Sequence, residues 1–400
     1  MHILFIHKNF PAQFGHVAAS LSQRVDIECS VASEVPADSV PGLNLIQYQP
    51  HGGTTAKTHY CCRTFENQIR ASHGLHEALK KETDLRPDLI VSHSGFVSPL
   101  FLRNLYDCPV INYFEYFYRM TDSDLDFRPE FPLHELQVLR VQARNAMLLL
   151  DLENCDAGYS PTAWQRSCFP SVYQPKIRQI FDGIDTNFWK PRDDRHQQVA
   201  NATFHSDTKI VTYVSRGLES MRGFDIFMRI AGRLCAERSD VVFLVVGEDR
   251  TCYGDESTII GRQTFKEWVL SQDEYDLDRI RFLGRVSTPE LAQILARTDL
   301  HIYLTVPFVL SWSLINAMAA GATVLASQTA PVQEFVQHGT NGLLADFFDV
   351  DRFVELAHQV LNDPPGHRQL GEEARRLVTE RYSLDRCLAV LLDFYQQVCE

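Results

Sequence analysis

A chain of 400 residues, 45% hydrophobic and 22% charged, is long enough for two ordinary domains and too apolar to be disordered. Its formal net charge of −13 excludes a general nucleic-acid binder, which needs a basic face for phosphates, although one local basic pocket is compatible with it. Ten cysteines without a single C-x-x-C pair argue against zinc and for a reducing compartment such as the cytoplasm.

In chain order, the opening Met-His-Ile-Leu-Phe-Ile-His is a short apolar run with no basic region before it and no cleavage site after it. It predicts a buried first strand rather than a signal peptide. Further apolar runs at 27–32, 43–48, 89–92, 110–114 and 157–160 predict strands in the first half. Runs at 210–214, 241–246, 280–283, 300–304 and 323–326 predict strands in the second. None approaches the roughly 20 residues needed to span a bilayer, which leaves only peripheral contact with a membrane surface open. Helical periodicity fills the gaps, as at 136–150, 224–237 and 290–297.

Unbroken apolar strands belong in parallel sheets covered on both faces, and repeated βα units imply doubly wound α/β domains. The polar stretch at 191–198 reads as a surface linker. The expected organisation is therefore a Rossmann-like domain at 1–188 and a second at 189–383, facing one cleft. An amphipathic helix within 384–400 is expected to pack on the first domain. Open α/β sheets hold ligands at the carboxyl ends of their strands.

Three segments sit at such ends. Gly15 opens the helix after the first strand, where a glycine permits close backbone approach to a ligand. Arg216 ends the first strand of the second half, and Arg222 follows six residues later at a helix start; two cations beside helix amides suit a diphosphate. Ser311 reads as the N-cap of a short helix, so that Ser311 and Trp312 present amides to an anion. Asp122-Ser-Asp124 has the look of a metal-binding D-x-D but lies in a loop rather than at a central strand, and is read as a solvated turn.

The order of these motifs resembles the retaining glycosyltransferases of family 4, with the two-domain GT-B fold. The resemblance rests on Phe10-Pro-Ala-Gln-Phe-Gly15, Asp182-Gly-Ile-Asp-Thr-Asn-Phe-Trp-Lys-Pro191 and Ser215-Arg-Gly-Leu-Glu-Ser-Met-Arg-Gly223. It continues through Ala317-Met-Ala-Ala-Gly321 and Pro331-Val-Gln-Glu-Phe-Val-Gln-His-Gly-Thr-Asn-Gly342. The first of these and Pro307-Phe-Val-Leu-Ser-Trp-Ser313 are similar to a subgroup found with polysaccharide biosynthesis.

The resemblance implies a hexose transfer, with retention, from a nucleotide sugar such as UDP-glucose to a saccharide or lipid-linked acceptor. No metal or other cofactor is implied. It makes Arg216 and Arg222 the diphosphate pair, with Gly15 approaching from the first domain. Phe308, Val309, Leu310, Ser311 and Trp312 form the loop over the donor, Asn316 lies beneath the ribose, and Arg285 and Val286 lie near the base.

Three departures qualify it. Phe308 and Asn316 stand where the family commonly has two glutamates, and an amide offers ribose one acceptor oxygen where a carboxylate offers two. Glu115 stands where a histidine is common, and is assigned to the sugar or the acceptor; His93, at another strand end, is a further candidate contact. The rival readings are a non-catalytic sugar-nucleotide-binding subunit, favoured by Phe308 and Asn316, and a sugar-nucleotide epimerase on the same fold.

Overall fold

The computed structural model describes residues 1–36, 40–191, 198–199, 202–205 and 207–400; most of the expected linker at 191–198 lies outside the described residues. The chain forms two compact units. The first comprises Met1–Asp126, Pro132–Asp182 and Cys387–Glu400, and the second comprises Phe127–Phe131 and Gly183–Arg386. The first unit's continuous stretch thus runs to Asp182, the chain returns to it from Cys387, and the five residues Phe127–Phe131 belong to the second.

In the first unit the strands are β1 (His2–Ile6), β2 (Glu28–Ser33), β3 (Leu43–Gln47), β4 (Leu89–His93), β5 (Val110–Tyr113), β6 (Ala157–Ser160) and β7 (Ile177–Gln179). They pair in the order β3-β2-β1-β4-β5-β6-β7, and all neighbours are parallel. β1 and β4 are buried along almost their whole length because helices cover both faces. One core cluster joins Phe5, Phe14, Val91, Tyr113 and Tyr159 with Leu391, Phe394 and Tyr395 from the last helix, Leu384–Cys399. The other lies on the opposite face of the sheet, around Leu4, Ile6, Leu75, Phe114 and Phe169.

β8 (Gln198–Val199) and β9 (Ala202–Thr203) form a short antiparallel pair. The second unit's sheet contains β10 (Lys209–Gly217), β11 (Val241–Glu248), β12 (Ile280–Gly284), β13 (Leu300–Tyr303), β14 (Val324–Ser327) and β15 (Leu343–Ala345). Its order is β12-β11-β10-β13-β14-β15, again parallel throughout. Both sheets therefore reverse direction beside their first strand, between β1 and β4 and between β10 and β13. Such a switch point leaves a crevice beyond the strand ends.

The helix Phe224–Glu237, which follows β10, buries Phe224, Phe227, Ile230, Ala231 and Leu234 in the second unit. Its cap, Gly223, has φ +61°, and a Cβ there would come within 2.8 Å of Leu304 Cβ, so both conformation and space require glycine.

The fold class agrees with the expectation from sequence. Two details differ. β7 and β15 are three-residue edge strands too short to stand out as apolar runs. The single helix expected over 136–150 is two, Glu135–Arg144 and Ala146–Asn154. At the break, the Asn145 side chain donates to the Tyr118 carbonyl at 2.7 Å and accepts from the Tyr118 amide at 3.0 Å, drawing the helix toward a loop.

Candidate functional site

A cleft of about 340 Å³ opens at the carboxyl end of the second unit's sheet. Each wall comes from a different strand end. Arg216 lies on the last turn of β10; Gly247 and Glu248 end β11, followed by Arg250; Arg285 and Val286 follow β12. Ser311, Trp312, Ser313 and Asn316 come from the start of the helix Trp312–Ala319, after β13.

Three arginines and one glutamate thus line a pocket in a strongly acidic chain. Glu248 pairs with Arg250 at 2.7 Å, which leaves a net positive field from Arg216 and Arg285, both exposed on the wall. The N-terminus of the helix adds the positive end of its dipole.

The backbone approaches itself tightly here. A Cβ on Gly217 would lie 2.3 Å from the Arg250 carbonyl oxygen, and one on Gly247 would lie 2.8 Å from that of Ser215. Close β10–β11 packing therefore fixes where Arg216 and Arg250 leave the chain. Behind this wall the buried Glu219 carboxylate accepts from the amides of Cys252, Tyr253 and Gly254 at 2.7, 2.8 and 3.2 Å, tying down the loop after β11.

Of the residues singled out from sequence, the cleft collects Arg216, Arg285, Val286, Ser311, Trp312 and Asn316. Arg222 is elsewhere. It is 4% exposed, its guanidinium donates to Thr305 Oγ1 at 2.6 Å and to the Val309 carbonyl at 3.0 Å, and it lies over the rings of Tyr253 and Phe308 at 5.2 and 5.8 Å. Phe308 is buried against Tyr253, with ring centroids 5.3 Å apart, and Leu310 is buried as well.

The segment 308–310 is therefore held by Arg222 from inside the fold, while its continuation, Ser311 and Trp312, faces the cleft. The Ser311 amide is not free for an anion: it donates to the Tyr303 hydroxyl at 2.9 Å, while the Ser311 hydroxyl accepts from the Ser313 amide. Asn316 is 7% exposed, and its Oδ1 has no hydrogen-bond partner among the described residues.

Glu248 and Arg250 were not singled out from sequence. The available signal was their position at the end of β11, next to the strand that carries Arg216.

The first unit has its own cluster at the equivalent strand ends. His7 follows β1, His93 ends β4 and Glu115 follows β5. The His7 and His93 rings meet edge to face at 5.0 Å, and both are 1% exposed. Glu115 accepts from the Gln13 side-chain amide at 3.1 Å and approaches His93 Nε2 at 3.8 Å. Burial holds the His7 imidazole down to about 4 and His93 well below its ordinary range, so both rings are neutral near pH 7. His7 was missed from sequence, although it too stands at a strand end.

Gly15 has a structural explanation of its own. Its amide donates to the Pro11 carbonyl at 2.6 Å, and a Cβ there would sit 2.2 Å from Pro11 Cβ. Its N–H is therefore committed within the loop rather than aimed at a ligand. Asp124 of the Asp-Ser-Asp motif is not a solvated turn residue: it accepts from the Tyr116 hydroxyl at 2.6 Å, and burial lifts its carboxyl to about 6. Among the described residues no group of three His, Cys, Asp or Glu side chains is placed to hold a metal ion, and no helix is long and apolar enough to cross a membrane.

Comparison with known proteins places this geometry. Residues 25–189 match the family described as glycosyl transferase family 4 group, and residues 194–377 match glycosyl transferases group 1. Among curated proteins, the chain is 31% identical over 222 residues to N-acetyl-alpha-D-glucosaminyl L-malate synthase of Bacillus anthracis, covering 56% of this chain and 54% of that one. It is 22% identical to spore coat protein SA of Bacillus subtilis, covering 58% and 61%. The chain thus spans between half and two thirds of the length of these relatives.

Among solved structures, sucrose-phosphate synthase of Thermosynechococcus elongatus superposes with a TM-score of 0.76 at 19% identity, covering 100% of this chain and 99% of that one. HepE of Anabaena, solved with UDP and glucose, gives 0.69 at 16% identity, covering 99% and 100%. These likenesses concern the fold. With both halves matched in order and two Rossmann-like sheets in place, the chain belongs to the glycosyltransferase family 4 group, on the GT-B fold.

Proposed function

We propose that the protein transfers a hexose from a UDP-linked sugar, UDP-glucose being the first candidate, to a saccharide or lipid-linked acceptor in polysaccharide biosynthesis, with retention at the anomeric carbon. The observation that carries the reading is the cationic cleft at the end of the second sheet. It combines Arg216, Arg285 and a helix N-terminus in a chain whose overall charge would otherwise repel a diphosphate. The complex of HepE with UDP and glucose, on the same fold, supports the choice of nucleotide.

In the reaction, the bond from the anomeric carbon to the diphosphate oxygen breaks and a bond to the acceptor oxygen forms. The acceptor's proton leaves with the diphosphate. Arg216 offsets the charge developing on the leaving oxygen, and the positive end of the Trp312–Ala319 dipole adds to it, so no bound metal is required. Arg222 acts from beneath, holding segment 308–310 in place. Glu115 is the first unit's carboxylate for sugar or acceptor hydroxyls, with Gln13 and His93 setting its position. Asn316 faces the ribose as a weaker partner than a carboxylate would be.

The test is a donor panel incubated with glycan acceptors, with and without EDTA, read by UDP release and by the anomeric proton coupling of the product. An α-linked product from an α-linked donor, formed equally well in EDTA, is expected. Inversion would overturn the stereochemical reading, and UDP binding without any transfer or hydrolysis would replace the enzyme with a sugar-nucleotide-binding subunit.

A further inference from the structure

A second cavity, of about 520 Å³, lies in the second unit and shares no lining residue with the donor cleft. Its size is ordinary for a small-molecule site. Phe131, Trp268, Tyr275 and Phe348 supply aromatic walls, and Asp225, Glu130, Arg229 and Gln272 supply polar groups.

The cavity is built from distant parts of the chain. The segment Phe127–Phe131 reaches the second unit from within the sequence of the first, and Arg128 anchors it there. The Arg128 guanidinium, 5% exposed, donates to both Asp225 carboxylate oxygens at 2.9 and 2.8 Å and to the Ser220 carbonyl at 2.9 Å. This two-pronged pair fixes Glu130 and Phe131 as one wall and orients Asp225 in another.

The rings are braced as well. Trp268 stacks on the buried Phe265 at 5.4 Å and meets Phe131 edge-on at 5.7 Å, while Phe348 stacks on Phe127 at 5.3 Å. A rigid aromatic lining of this kind lets a ligand bind without first ordering the side chains.

From this lining we infer a non-catalytic binding site for a neutral oligosaccharide. A pyranose ring presents an apolar C–H face to an aromatic wall and a rim of hydroxyls to carboxylate, amide and guanidinium groups. An acyl chain would strip water from the rim groups Glu130, Arg229 and Gln272 without replacing its hydrogen bonds. A phosphate or nucleotide would find both nearby guanidiniums already engaged by carboxylates, Arg128 by Asp225 and Glu130 and Arg229 by Asp225. A neutral polyol satisfies both the rings and the polar rim. The site would hold a glycan at a second point, lengthening its residence on the protein. This inference stands apart from the choice of donor.

The experiment titrates the full chain with maltohexaose, cellohexaose and chitohexaose, read by calorimetry and tryptophan fluorescence, with UDP titrated in parallel. At least one hexaose should bind with Kd on the order of 1 mM or tighter. Trp268→Ala should weaken it about tenfold, and Gln272→Ala, an exposed position that spares the fold, several-fold, with UDP affinity unchanged in both. UDP binding without hexaose binding would overturn this inference alone. So would a hexaose signal that UDP displaces, or one that both variants leave intact.

Discussion

Arg216 and Arg222 look equivalent in the sequence, and the structure predicts that replacing them produces opposite phenotypes. Arg222→Ala removes a buried guanidinium that makes two charge-assisted hydrogen bonds and packs on two rings. It leaves the Val309 carbonyl and Thr305 Oγ1 without that donor. At about 1.5–3 kcal/mol for each bond to a charged group, the loss is about 3–6 kcal/mol of folding stability. For a unit of this size that corresponds to a drop in Tm of roughly 10 °C. Arg216 is exposed, so Arg216→Ala should change stability by less than about 0.5 kcal/mol. It should instead lower kcat by the equivalent of about 2.7–4 kcal/mol, the cost of losing one preorganised donor to a leaving group. Thermal melts with and without UDP, together with initial rates, separate the two. If Arg222→Ala melts within a degree or so of the wild type while UDP binding vanishes, Arg222 is a ligand to the diphosphate, and the reasoning from burial fails.

Asn316→Glu should tighten UDP binding about tenfold by calorimetry, because a carboxylate accepts from two ribose hydroxyls where the amide offers one oxygen; unchanged affinity would remove Asn316 from the ribose. Gly217→Ala should cost about 1–3 kcal/mol of stability and weaken UDP binding, since the new methyl would sit 2.3 Å from the Arg250 carbonyl oxygen and displace the cleft wall. Asp151, buried and accepting from the Ser94 and Ser98 hydroxyls, has its carboxyl raised to about 7 by burial. The folded state keeps this proton where the unfolded chain loses it, so the stability it contributes is full below about pH 4 and is lost as pH rises through about 7. Asp151→Asn should therefore gain about 3 kcal/mol relative to wild type between about pH 5 and about pH 8 in paired denaturant titrations, and a constant difference would refute the assignment.

How far the sequence carried these conclusions depends on what kind of information each needed. Strand positions were legible because a strand buried on both faces must be apolar at every residue, as in β11, where seven of eight residues are fully buried. Edge strands of three residues carry no such signature. Arg216 was legible because β10 ends there and strand ends in open sheets face ligands. Arg222 was legible as a charge but not as a direction. Nothing in a six-residue spacing says that its guanidinium turns toward Thr305 rather than toward the cleft. Glu248, Arg250 and His7 were overlooked although the strand-end argument covers them equally. The segment Phe127–Phe131 could not be read at all: its place in the second unit depends on the match between Arg128 and Asp225, 97 residues apart.

The two units apply one topology to different electrostatic ends. The second unit's cleft keeps Arg216 and Arg285 exposed and charged, as recognition of a diphosphate requires. The first unit places His7 and His93 at the carboxyl ends of its own strands β1 and β4 but buries them until they cannot hold a proton near pH 7, His7 being held to about 4. In the cluster of His7, His93 and Glu115 the carboxylate is then the only charge. The Gln13 amide and the neutral His93 ring lie against it. Had the imidazoles been solvated, they would have added positive charge as pH fell through about 6.5, and the first unit would have competed for the nucleotide in mildly acidic conditions. Burial of His7 and His93 thus keeps the first unit from gaining their positive charge near pH 7.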